Sequence, residues 1–214
     1  MPGFIRPMRG LAVVAGLAAA LLVQVSVADA AMVSGDMNEY TGSDMIGRAV
    51  FEQVGNDIKV TLTTVQEPGH TNTGDWGGFW FNISDDSFLA GMTVVGADIT
   101  AFDFSGGVGS VGSANNNLNG GGSPGAMDAG IAFGEPGASS GLLSTTTFTL
   151  SHPSGLTLSL FENQTIAGRL QTVGPVPNGG GGSSKITGNL NVPEPASLAL
   201  IGIGSLLIAK RRAN

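Results

Sequence analysis

Ile58-Lys59-Val60-Thr61-Leu62-Thr63-Thr64-Val65 decides the fold class. Apolar and polar side chains alternate along it with a period of two. In an extended chain successive side chains point to opposite faces, so one face of this segment is buried and the other is wet. Gly55-Asn56-Asp57 before it is a turn, and Val50 to Val54 on the far side of that turn is a second strand. Glu67-Pro68-Gly69-His70 closes the unit with turn residues. The pair reads as an antiparallel hairpin with one apolar face.

Working outward, Gly77 to Ile83 is an aromatic strand, with Phe79 and Phe81 on one face and Trp80 on the other. Leu89 to Val95 and Ala97 to Phe104 are strand candidates parted at Gly96, and Ala129 to Phe133 is a short strand. Thr145 to Leu150 and Leu156 to Phe161 form a pair across Ser151-His152-Pro153-Ser154-Gly155, and Ile166 to Val173 is a late strand. Ser105 to Gly125 is a Gly/Asn/Ser loop, longer than usual connections and so either functional or mobile. Gly174 to Ser184 reads as a second flexible segment. The body is therefore expected to be all-β, a single jelly-roll-like β-sandwich with helices confined to the two chain ends.

Composition narrows the partners. Between residues 31 and 192 only Arg48, Lys59, Arg169 and Lys185 are basic, against fourteen acidic residues, a net charge of −10. Such a surface repels phosphate backbones, so nucleic acid is excluded as a partner. The chain has no cysteine. The body must stand on its core alone, without disulfides, thiolate metal sites or a cysteine nucleophile.

Several patterns invite chemistry and fail on context. Gly107-Val108-Gly109-Ser110-Val111-Gly112 matches a dinucleotide-binding pattern, but Ser113 to Gly121 cannot open the helix that a pyrophosphate needs. No Asp lies between Gly106 and Ala126, which removes a calcium-binding glycine-rich repeat. His70 and His152 are far apart and sit near turns, and Ser151 beside His152 is not a catalytic pair. No carboxylate pair or nucleophile–base pair is legible, so the body is expected to be non-enzymatic and to hold no cofactor. Calcium is the alternative: Asp75, Asp85, Asp86, Asp98 and Asp103 are scattered carboxylates, with Asp85-Asp86 the best seed. Trp76, Phe79, Trp80 and Phe81 are core aromatics, although Trp76 in a Gly-rich turn could be exposed as a sugar-stacking platform.

The two ends carry an address. Arg6 and Arg9 precede an apolar stretch, Leu11 to Val25, and Ala28-Asp29-Ala30 satisfies the small-residue rule for cleavage before Ala31. Residues 1–30 read as a signal peptide, 31–190 as the exported β-sandwich domain, and 191–214 as a sorting and anchor segment. That last segment holds Pro193-Glu194-Pro195, an apolar run from Ala196 to Ala209, and the basic tip Lys210-Arg211-Arg212. The run is 14 residues, about 21 Å as a helix, against a hydrocarbon core of ~30 Å. The basic tip belongs on the cytoplasmic side and acts as a membrane stop.

This tripartite end resembles the PEP-CTERM tail of exported proteins from Gram-negative bacteria that make exopolysaccharide. The resemblance implies an exosortase, a membrane protease, as partner. It also implies an inner-membrane intermediate held by a short C-terminal transmembrane helix, then delivery to the cell surface or outside. The body is similar to one group of such proteins in Gly74 to Ser84, Gly96-Ala97-Asp98-Ile99-Thr100, Asn117-Leu118-Asn119-Gly120-Gly121 and Phe148-Thr149-Leu150-Ser151-His152. The similarity continues in Gly168 to Gly174 and Gly182-Ser183-Ser184-Lys185. It departs at Trp80, where Phe is commoner, and at Thr172, where Ser is commoner. The expectation is a non-enzymatic surface or extracellular-matrix protein associated with exopolysaccharide or biofilm. The alternative is a carbohydrate- or calcium-binding module at the same address.

Overall fold

Ile58, Val60 and Leu62 are fully buried while Lys59 is exposed, as the alternation requires. The computed structural model describes residues 31–134 and 141–192. Ten strands follow one another: β1 (Met32–Gly42), β2 (Ile46–Val54), β3 (Asp57–Val65), β4 (Asn72–Phe81), β5 (Thr93–Val95), β6 (Ile99–Asp103), β7 (Ala129–Phe133), β8 (Thr145–Ser151), β9 (Thr165–Pro175) and β10 (Gly182–Asn189). Among the described residues helix is limited to single 3-10 turns at Asp86–Phe88 and Leu158–Leu160.

The strands form one antiparallel sheet in the order β5-β8-β3-β2-β1-β10-β9-β4-β7-β6. It curls until its two halves face each other. Phe51 of β2 and Phe148 of β8 meet Phe79 of β4 at centroid distances of 6.2 and 6.4 Å, and Phe133 of β7 meets Phe148 at 5.7 Å. The edge strands β5 and β6 are not paired with each other, so the barrel is nearly closed. Near this seam the Thr146 hydroxyl donates to Asp98 Oδ2 at 2.8 Å.

The expected two-sheet jelly roll is thus corrected to a single curled sheet. Two strands that the sequence pattern hides cause the difference. In β1, Gly35 takes the inward position between Val33 and Met37, so the apolar alternation is broken in sequence. The segment read as flexible from Gly174 to Ser184 in fact holds the end of β9 and the start of β10. The two strands pair at the middle of the sheet and join the halves through hydrogen bonds.

Two further expectations change. Leu156 to Phe161 is not a strand. Its 3-10 turn drops Leu156, Leu158, Leu160 and Phe161 into the interior as a plug, with Phe161 5.1 Å from Phe51. Leu89 to Met92 is a turn, and β5 keeps only Thr93–Val95. Trp76 is a core aromatic, as read from the sequence, and is not displayed. Its ring lies over Gly47 and Gly168, where an added Cβ would come within 2.9 and 2.6 Å of it.

The long glycine-rich loop is built against the outside of the sheet. Val108, Val111, Leu118 and Met127 cover Trp80, Ala132 and Ala167, forming a second apolar cluster. Asn116 is buried beneath it and its amide donates to the Gly77 carbonyl at 2.7 Å. Gly107 to Gly112 opens no helix; Ser110 forms a bridge with Asn117 instead.

Candidate functional site

The chain enters and leaves the sheet at one place. β1 and β10 are neighbours, and beyond β10 the chain makes one more bridge, Asn191 with Ser34. Ser34 N donates to the Asn191 carbonyl at 3.1 Å, and Asn191 N to the Ser34 carbonyl at 2.8 Å. Leu190 between β10 and this bridge is fully buried. At the other exit, Gln53 N donates to the Ala31 carbonyl at 3.0 Å. Both expected cleavage regions therefore abut one end of the barrel. Met32, Val54 and Val192 are exposed apolar side chains at this end.

Ala28, Ala30, Pro193, Glu194, Pro195, Lys210, Arg211 and Arg212 lie outside the described residues, as do the expected signal and transmembrane helices. The covalent geometry still constrains them. One residue, Val192, separates the Asn191 bridge from Pro193. Fully extended, the chain reaches Ala196 in about 17 Å. The folded body thus stands close to the start of the apolar run, and no glycine-rich linker intervenes. Among the described residues no helix is long and apolar enough to cross a membrane.

Asp85 and Asp86 sit on the turn after β4. Asp85 Oδ1 accepts from Ser87 N at 3.0 Å and caps the 3-10 turn. Hydrogen bonds from Ser87 hold its carboxyl below the usual aspartate range. Asp98 and Asp103 are engaged elsewhere, with Thr146 and Ser105 N. Among the described residues no three His, Asp or Glu side chains gather as a metal-binding group. His70 Nδ1 lies 2.7 Å from Asp44, and His152 bridges Ala90 O and Ser154 N. Both histidines fasten turns.

Two open pockets of about 280 and 400 Å³ are lined by Gly77, Asn116 and Phe133 and by Thr73, Thr172 and Asn178 respectively, and among the described residues neither lining includes a titratable side chain. Sequence reasoning missed the outward pair Arg169 and Lys185, which are partners across β9 and β10. The signal was out of reach, because sixteen positions separate them and the register that joins them depends on the unforeseen β10.

The family model described as PEP-CTERM protein-sorting motif matches residues 191–213. No curated protein and no solved structure matches the chain. The match begins at the residue that makes the last bridge of the sheet. The chain thus ends in a PEP-CTERM protein-sorting motif, an exosortase recognition signal, which marks it as an exported protein anchored transiently at the membrane before processing.

Proposed function

We propose that the protein is a non-enzymatic component of the cell surface or extracellular matrix, associated with exopolysaccharide or biofilm and released from the membrane by an exosortase. The observation that carries the reading is the sorting motif beginning at Asn191, directly where the folded sheet ends. A signal peptide removed before Ala31 takes the chain out of the cytoplasm. The apolar run and Lys210-Arg211-Arg212 then hold it at the inner membrane, with the body outside.

Calcium at Asp85-Asp86 has less support, because one Asp85 oxygen already serves Ser87 N. A stacking platform at Trp76 also loses support, since the ring is in the core.

Two variants separate anchoring from recognition. Replacing Lys210, Arg211 and Arg212 together with Glu should reduce membrane retention, since a 14-residue apolar run is marginally held without its basic stop. Glu194→Gln should leave retention intact and slow processing. Cell fractionation reads both. Equal retention of the charge-reversed variant and the parent would contradict the assigned role of the basic tip.

A further inference from the structure

Two of the body's four cations have ordinary partners. Arg48 is 2.6 Å from Asp36, and Lys59 is 3.1 Å from Glu52. The other two stand together. Arg169 on β9 and Lys185 on β10 are cross-strand partners. Their neighbours Leu170 and Ile186 belong to the interior cluster, so both cations project from the outer wall.

Among the described residues no carboxylate lies within ion-pair distance of either. Lys185 Nζ donates to Asn117 Oδ1 at 2.9 Å and to the Asn119 carbonyl. The Arg169 side chain makes no hydrogen bond or ion pair with any described residue, and its Nε is buried. The Tyr40 hydroxyl, which feels the Arg169 charge, donates to the Leu118 carbonyl at 2.7 Å and ties the loop down beside the pair. Burial, with the Arg169 charge second, holds the Lys185 ammonium below the usual lysine range. Like charges opposite each other on neighbouring strands are destabilising. A guanidinium with no acceptor is costly as well. Both costs vanish when an anion sits between the two.

We propose that Arg169 and Lys185, bordered by Tyr40, bind the carboxylate of an acidic sugar unit in an extracellular polysaccharide. The planar fork of Arg169 matches a carboxylate in bidentate geometry, and Lys185 adds a point charge. A sparsely charged polymer fits better than a dense polyanion, because the body's net charge of −10 repels the latter. A lipid headgroup fits poorly. Lys185 lies six residues before Asn191, about 20 Å up the wall from the end where the tail leaves. The inference rests on the matrix reading and supplies its ligand class.

The test uses the full-length chain in detergent, with oligogalacturonate as probe and a neutral cello-oligosaccharide as control. Phosphatidylglycerol vesicles form a third arm. The parent should bind the oligogalacturonate and not the neutral control, and any vesicle binding through its apolar tail should be unchanged by Arg169→Gln. Arg169→Gln should weaken binding roughly ten-fold or more, Arg169→Lys less, and Lys59→Gln not at all. Should Arg169→Gln fail to fold, added salt must still weaken the parent's binding. Salt-insensitive binding, parent-like binding by a folded Arg169→Gln, or no binding by the parent each overturns the proposal. So does vesicle binding that depends on Arg169. Surface delivery is scored separately by protease shaving of intact cells. Failed delivery counts against the sorting reading, whereas failed binding counts against the site.

Discussion

Trp76 shows how single residues shape the interior. It spans from β4 across β9 and β10 to β2, and it fits because Gly168 and Gly47 leave its ring room. Gly168→Ala should force the ring aside and cost about 1–3 kcal/mol by overpacking. A lowered urea midpoint with unchanged slope would show it, and an unchanged midpoint would refute the contact. Thr172 is the opposite case. It holds φ +53° within β9, a left-handed conformation that a β-branched side chain adopts only under strain. Thr172→Gly should be neutral or stabilising, by up to about 1 kcal/mol after the backbone-entropy cost of glycine. Thermal unfolding checks this, and a clear loss would show that the threonine side chain has an unrecognised contact. The core burial of Trp76 was legible in sequence, and the strain at Thr172 was not. What stayed hidden for Trp76 was its seat, because the glycines that accommodate it, Gly47 and Gly168, come from other strands.

At the scale of elements, legibility followed alternation. The β2–β3 hairpin and β8 follow period-two patterns and the sheet keeps them, while β7 and the aromatic centre of β4 are strands buried on both faces. The segment Leu156 to Phe161 alternates too, yet it forms a plug, since periodicity over so few residues cannot separate a strand from a buried turn. β1 and β10 were hidden because Gly35 and Gly188 occupy positions where the neighbouring backbone leaves no space for a Cβ. Sequence marks such glycines as breaks, while the structure uses them for close approach. The loop from Ser105 to Gly125 lacks large side chains, but the few it has, Val108, Val111 and Leu118, reach Trp80. Asn116 fastens it, so Asn116→Ala should strand the Gly77 carbonyl and cost about 1–3 kcal/mol. Limited proteolysis with a broad-specificity protease should then cut within 105–125 faster than in the parent. An equal cutting rate would mean the apolar contacts alone hold the loop.

For the whole molecule, the address was legible from sequence because it is linear. Pro-Glu-Pro, an apolar run and a basic tip are read one after another. The relation of that address to the body was not, since it depends on which strands sit side by side. The last bridge of the sheet joins Asn191 to Ser34, so the N-terminal and C-terminal segments flank the body at one end, on adjacent strands. The folded body then retains its terminal clasp when both segments are cut away. The central claim is that the protein is exported and loses both ends around this clasp. Intact-mass analysis of the cell-surface form tests it most directly. The expected species starts at or near Ala31 and ends around Pro193-Glu194-Pro195, with residues 34 and 191 both retained. A surface species that still carries Arg212 would contradict release by processing.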